Sequence, residues 1–205
     1  MPLFPALSVL VLAQGIQVPT GERIADLPSL ELGERPLDFV SAPDRRRLYV
    51  KTHQSLVIVE GQKVVQSLPM NGSSMHGLLL SKDGTRIYAT DAASNVRVAK
   101  VGDRLEWLPS LALPEPAAKG SAYGCGLAEL PNGHLAVASS RGNEVAILDP
   151  ARGSTVARIK VDVAPYDVKL APDGKTLAVT CWSVPAEGRG KTAPTSGTPI
   201  PITSN

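Results

Sequence analysis

The sequence predicts an all-β protein assembled from repeated four-stranded antiparallel sheets, and three observations predict it. A hairpin is written four times: APDRRRLYV from Ala42, SKDGTRIYA from Ser81, LPNGHLAV from Leu130 and APDGKTLAV from Ala171. The turn residues Asp44, Asp83, Asn132 and Asp173 follow one another at spacings of 39, 49 and 41. The chain holds 18 Gly and 18 Pro, a tally suited to many short strands joined by tight turns, and it lacks helix-period apolar patterns outside its N-terminus. A period of about 40 to 45 with four strands per unit is the signature of a β-propeller blade. Counted in such units, the chain is an incomplete propeller of about three and a half blades.

The blades fall at about 36–70, 71–114, 124–162 and 163–182, the last one partial. In the first, Leu37 leads to the Asp44 turn, Leu48 to Lys51 forms a second strand, and His53-Gln54 turns the chain into Leu56 to Glu60 and then Lys63 to Leu68. Its turn has Arg45-Arg46 where the other copies have Gly, so it is the least typical copy. The second runs through Gly77 to Leu80, the Asp83-Gly84 turn, Arg86 to Thr90, Val96 to Val101 and Leu105 to Leu111. A longer linker, Pro114 to Tyr123, explains the spacing of 49. The third has Gly126 to Leu130, Asn132-Gly133, His134 to Ser139, Glu144 to Leu148 and Thr155 to Val161. In its last strand Val156, Arg158 and Lys160 alternate with Ala157, Ile159 and Val161, the period of an outer strand with one polar face. The fourth begins with Tyr166 to Leu170, Asp173-Gly174 and Thr176 to Cys181, and then gives way to a Gly-, Pro-, Ser- and Thr-rich stretch over 183–205 where a third and fourth strand are due. Asp or Asn followed by Gly accepts the left-handed backbone of a tight hairpin, so Asp44, Asp83, Gly84, Asn132, Gly133, Asp173 and Gly174 are structural turn residues.

The 205 residues, 43% apolar and 20% charged, suit a folded protein, and a formal net charge of +2 makes nucleic acid the least favoured partner. Residues 1–13 read as a secretory leader with cleavage between Ala13 and Gln14, although no Lys or Arg opens the segment and the first basic residue is Arg23. That reading places the protein outside the cytoplasm, periplasmic or secreted. Its apolar run, Ala6 to Ala13, is too short to span a bilayer. Residues 14–35 are read as a leader and first-strand region ahead of the first blade. Cys125 and Cys181 lie in different repeats and are read as small buried residues rather than a disulfide.

The units APYDVKLAPDGKTLAVT and GNEVAILDPARGSTVARIKVDVAPYDV resemble YVTN-type, YncE-like β-propeller repeats, over about residues 36 to 182. Two departures stand out: the turn of blade one, and Lys100 where the third strand of blade two should close on Asp. The stretch GRGKTAPTSGTPIPI resembles an insertion in bacterial proteins that join such a propeller to an alkaline-phosphatase-like phosphoesterase. This second resemblance implies a catalytic domain with metal-binding Asp and His residues beyond Asn205, none of which maps onto this sequence.

By propeller convention the turns between second and third strands share one face with the connections between blades, and ligands use that face. His53, His76, Asp91, Asn95, Tyr123, Arg141, Asn143 and Tyr166 fall there; His53, His76, Asp91, Tyr123, Arg141 and Tyr166 are the ligand-face candidates. Two histidines and an aspartate suit a divalent ion only if they converge, and scattered polar residues are what any solvated rim displays; no metal or other cofactor is expected. His134 lies on the other face. No Gly-x-Ser-x-Gly elbow is present, and Cys125 with a distant His is a weak nucleophile pair. Trp107 is read as a packing residue, while Trp182 is either a packing residue or a ligand platform. The sequence therefore favours a non-enzymatic binding or scaffold module, part of a larger exported protein, taking an unknown protein or small molecule. The alternative is the propeller portion of a hydrolase, phosphoesterase-linked or lactonase-like, whose catalytic residues lie outside this chain. In either case further blades or a second chain are needed to close the ring, because an open array leaves sheet edges bare.

Overall fold

The computed structural model describes residues 29–183, 192–195 and 198–201. Blade 1 is β1 (Pro36–Ser41), β2 (Arg47–Thr52), β3 (Ser55–Glu60) and β4 (Lys63–Pro69), paired antiparallel in that order. Blade 2 repeats the plan with β5 (Ser73–Leu80), β6 (Arg86–Asp91), β7 (Asn95–Lys100) and β8 (Glu106–Ala112). In blade 3 these are β9 (Gly124–Glu129), β10 (Leu135–Ser139), β11 (Glu144–Asp149) and β12 (Ser154–Lys160), with a 3-10 turn over Ser140–Gly142 between β10 and β11. Blade 4 contributes β13 (Val163–Leu170) and β14 (Leu177–Ser183). The array is all-β and forms an incomplete propeller. In the Gly- and Pro-rich stretch the structure has a separate two-stranded sheet, β15 (Thr192–Thr195) with β16 (Thr198–Pro201), that does not extend blade 4. The proposed leader, 1–13, lies outside the described residues.

The core lies in the seams between blades. Tyr49, Leu56 and Ile58 of blade 1 close against Leu78, Ile87, Ala89 and Ala99 of blade 2. Val96, Val98 and Leu111 of blade 2 meet Leu127, Leu135, Val137 and Leu148 of blade 3, and Ala136, Ala138, Val145 and Ile147 of blade 3 meet Val168 of blade 4. Burying each of the larger side chains contributes about 1.5 to 3 kcal/mol. The outer face of blade 1, with Val50, Val57 and Val59, is covered by Leu30 and Leu32 from the segment before β1. The outermost strand β12 differs from its sequence pattern: it is exposed along its whole length, and Val156 and Ile159 are 53% and 46% exposed. Its apolar face would pack on the outer strands of the next blade, and among the described residues the sheet of blade 4 has two strands.

The repeated turns owe their shape to the carboxylate or amide oxygen that accepts from the backbone two residues on, as Asp44 does from Arg46, Asp83 from Thr85, Asn132 from His134 and Asp173 from Lys175. On Asp83 the hydroxyl of Ser81, then the amide and hydroxyl of Thr85, hold the carboxyl down to about 2. Gly84, Gly133 and Gly174 have φ near +70°, and blade 1 puts Arg45 at φ +58° in the same place. A side chain in that region carries strain that glycine does not. Replacing Arg45→Gly is therefore expected to raise stability by about 0.5 to 1 kcal/mol, read from urea unfolding midpoints.

One irregularity recurs in all four blades. Each pairing of first with second strand breaks register near its start: between Pro36 and Asp38, between Ser73 and Leu78, between Val137 and Ser139, and between Pro165 and Asp167. A bulge bends a strand and re-aims its side chains. Because of it the inner strands begin earlier than their apolar runs suggest. His76 thus sits on β5, not in the preceding connection, and Tyr166 lies inside β13, which starts three residues before it.

Candidate functional site

Aligned on their turns, the four inner strands read LDFVSAPD, HGLLLSKD, CGLAELPN and YDVKLAPD. The first column holds Leu37, His76, Cys125 and Tyr166; the second holds Asp38, Gly77, Gly126 and Asp167. These are the bulge positions, and they bring three blades together around His76. Its Nδ1 lies 3.0 Å from Asp38 Oδ2 of blade 1 and its Nε2 lies 3.1 Å from Asp167 Oδ1 of blade 4. The imidazole stacks on Tyr166, with ring centroids 5.2 Å apart and planes 13° apart. Tyr166 in turn meets Trp182 edge-on at 5.5 Å. Trp182, at the end of β14, is 54% exposed and is the open wall of the cluster.

The small residues of the second column make this approach possible. A Cβ on Gly126 would stand 2.1 Å from Asp167 Oδ1 and 2.7 Å from its Cα, so the carboxylate lies directly over bare backbone. Asp38 reaches the neighbouring blade instead: its Oδ2 accepts from the amides of Gly77 and Leu78 at 3.0 and 3.1 Å, and its Oδ1 from Phe39. Asp167 Oδ1 also accepts from the Val168 amide and from Lys169 Nζ.

The electrostatics follow from these contacts. The hydrogen bond to Asp38 raises the His76 pKa above its ordinary value; burial opposes this, and the charges of Asp38 and Asp167 reinforce it. Burial pushes the Asp38 carboxyl up, but the hydrogen bond and charge of His76, with the amides of Gly77 and Phe39, outweigh it and hold the group below the usual range. Both ring nitrogens of His76 lie within 3.1 Å of a carboxylate oxygen, a setting that favours the imidazolium. Burial drives the Cys125 thiol up to about 11, only partly offset by Lys51 and Ser140. A thiol so far from its thiolate form is a poor nucleophile. Cys125 and Cys181 are both free.

Of the residues expected at this face, His76, Tyr123, Arg141 and Tyr166 gather here. Arg141 stacks its guanidinium over the Tyr123 ring at 5.1 Å, and Tyr123 accepts from the Met75 amide beside His76. Asp91 is held in its turn, where its carboxylate accepts from the amides of Ala93 and Asn95 and from the Asn95 side chain. Asn143 fixes the start of β13 by accepting from the Ala164 amide. His53 lies exposed at a turn that Glu34 caps through Thr52, Gln54 and Ser55. Among the described residues no three His, Cys, Asp or Glu side chains are disposed to hold a metal ion. Asp38 and Asp167 were missed from sequence because each was read as part of a strand. Their shared place, six residues before Asp44 and Asp173, is the signal that would have found them.

No family profile matches the chain, and no curated protein does. Solved structures do. The Swd1 β-propeller domain of Myceliophteria thermophila aligns with a TM-score of 0.62 at 14% identity, covering 74% of this chain and 52% of that one. The periplasmic gluconolactonase of Pseudomonas aeruginosa aligns at 0.59 with 22% identity, over 81% of this chain and 52% of its own. Virginiamycin B lyase from Staphylococcus aureus aligns at 0.58 with 18% identity, over 72% and 49%. The chain thus spans about half the length of these structures. What it shares with all three is the fold, that of a β-propeller, on which binding domains and enzymes alike are built.

Proposed function

We propose that the chain is a non-enzymatic binding module of YVTN-type repeats, working outside the cytoplasm as part of a larger protein, and that its ligand sits on the His76, Tyr166 and Trp182 wall. One observation carries the reading: both nitrogens of His76 are engaged by carboxylates, at 3.0 and 3.1 Å. A general base needs a nitrogen free to take a proton. This one presents ring faces and an aromatic wall, beside carboxylates, which is the composition of a site for a small polyhydroxylated molecule. The bare faces of β12 and of Phe39, 62% exposed, are places where further blades or a second chain would close the ring.

A second reading, hydrolase, is favoured by the His76–Asp38 pair itself, since a carboxylate that orients an imidazole is also part of acid–base catalysis. Glucono-δ-lactone, the kind of substrate named by the Pseudomonas neighbour, separates the two. The protein is titrated with the lactone and with gluconate while the Trp182 indole and His76 imidazole signals are followed by NMR, and lactone opening is timed in parallel. The binding reading expects saturable shifts at both residues, at least tenfold weaker binding in Trp182→Ala, and lactone opening at the buffer rate. Opening accelerated by the protein and lost in His76→Gln establishes the hydrolase instead. Absence of any shift up to about 10 mM, a free energy weaker than about 3 kcal/mol, removes this ligand class.

A further inference from the structure

The Lys51 side chain leaves β2 for the seam between blades 1 and 2, and the residue is 0% exposed. Its ammonium meets four oxygens: Ser74 Oγ and the His76 carbonyl at 3.1 Å, the Gly77 carbonyl and Thr90 Oγ1 at 3.2 Å. The positions matching Lys51 in the other blades, seven residues after each turn residue, hold Thr90, Ser139 and Thr180. A buried ammonium is costly to desolvate, so its contacts matter more than its volume. Those contacts fall on one short stretch. Lys51 takes the carbonyls of His76 and Gly77, and Asp38 takes the amides of Gly77 and Leu78, where β5 bulges and Gly77 holds φ +107°. The backbone that carries the His76 ring is gripped from both sides.

We propose that Lys51 is the positioning residue of this site: its ammonium fixes the bulged backbone at His76 and Gly77 and so aims the His76 ring between Asp38 and Asp167. The functional weight of this rests on the binding reading above, whereas the positioning itself does not. The groups facing the ammonium are Asp38 from β1, Ser74 and His76 from β5, Thr90 and Asp91 from β6, and Cys125 from β9. Burial brings the lysine down to about 7 against the pull of Asp38, Cys125 and Asp91, so the grip is strongest at and below neutrality.

The test is a 15N NMR titration of the His76 imidazole with amide exchange at Gly77 and Leu78, in the wild type, in Lys51→Met and in Thr90→Val. Lys51→Met is expected to lower the His76 pKa by roughly one unit, because the ring loses its alignment on Asp38. Exchange protection at Gly77 and Leu78 should drop at least tenfold relative to Ile87. Simple loss of a nearby positive charge would move the His76 pKa upward, so an upward shift overturns the proposal. So does an unchanged pKa with unchanged amides, the pattern of a lysine that only fills the seam. Should Lys51→Met not fold, Thr90→Val removes one of the four oxygens, and with it the hydroxyl's own 2.7 Å bond to the His76 carbonyl, and is expected to give about half the shift; no shift there overturns the proposal equally. In the wild type, Gly77 and Leu78 amides exchanging like frayed ends would overturn it with no variant at all. None of these readouts uses a ligand, so failure of the lactone to bind and failure of Lys51 to position His76 are separate results.

Discussion

Gly77→Ala should be the most damaging alanine substitution among the described glycines, lowering stability by about 3 to 5 kcal/mol in urea unfolding and displacing the His76 ring. The added Cβ would stand 2.1 Å from the Cys125 carbonyl oxygen and 2.3 Å from Thr90 Oγ1, and 2.9 Å from the Cys125 carbonyl carbon. Backbone atoms of β9 cannot swing aside as the end of a flexible side chain could, so blades 2 and 3 must separate. The residue also has φ +107°, where an alanine adds strain of its own. Steric overlap and backbone strain act together here, which places the loss in the upper tail of point substitutions. Gly33, with φ +71° but nothing within 4 Å of an added Cβ, is the control: Gly33→Ala should cost only about 1 kcal/mol. Equal losses at the two positions would mean that the close approach of β5 to β9 is not what Gly77 serves.

Asp38→Asn should cost about 2 kcal/mol, and the loss should depend on pH in a defined window. The carboxylate accepts from two amides of the next blade and from His76, and an amide side chain keeps an oxygen but not the charge. The folded Asp38 pKa lies below 3.8, so its contribution is fully present above that value and fades as pH falls through the folded pKa. The folded His76 pKa lies above 6.5, so its contribution is fully present below 6.5 and fades as pH rises through the folded value. Wild type and Asp38→Asn should therefore differ most between about pH 4 and 6.5 and converge on either side. Lys51 has the opposite sign: lowered to about 7 in the fold, it makes the wild type gain stability from there up to 10.5, and in Asp38→Asn the gain begins at lower pH because the ammonium loses the pull of the Asp38 charge. Unfolding at pH 3, 5.5 and 8.5 checks this, and a difference that is flat with pH would show that Asp38 acts without its charge.

The strands, turns and blade spacing were legible because each is a local pattern. The turn at Asp83 needs only an oxygen that accepts from Thr85 and a glycine that tolerates positive φ. The candidate site was half legible. His76, Tyr123 and Tyr166 could be named from their place at or before the start of an inner strand and Arg141 from the turn between second and third strands, and the four lie near one another. Asp38 and Asp167 could not, since nothing near either in the chain says that it will lie against a histidine 38 residues later or 91 residues earlier. Lys51 was hidden more deeply, as a charged residue in an otherwise apolar strand whose acceptors belong to the next blade.

By itself, then, the sequence determined that the chain is a series of blades, because a hairpin repeated near forty residues can bury its apolar faces only against its own copies. Only the tertiary structure decided what the inner strands do. Their bulges turn polar side chains of separate blades toward one another, and two glycines let the backbones come close enough for those side chains to meet. Such contacts depend on distances across seams, set by packing between blades, and no period along the chain encodes them.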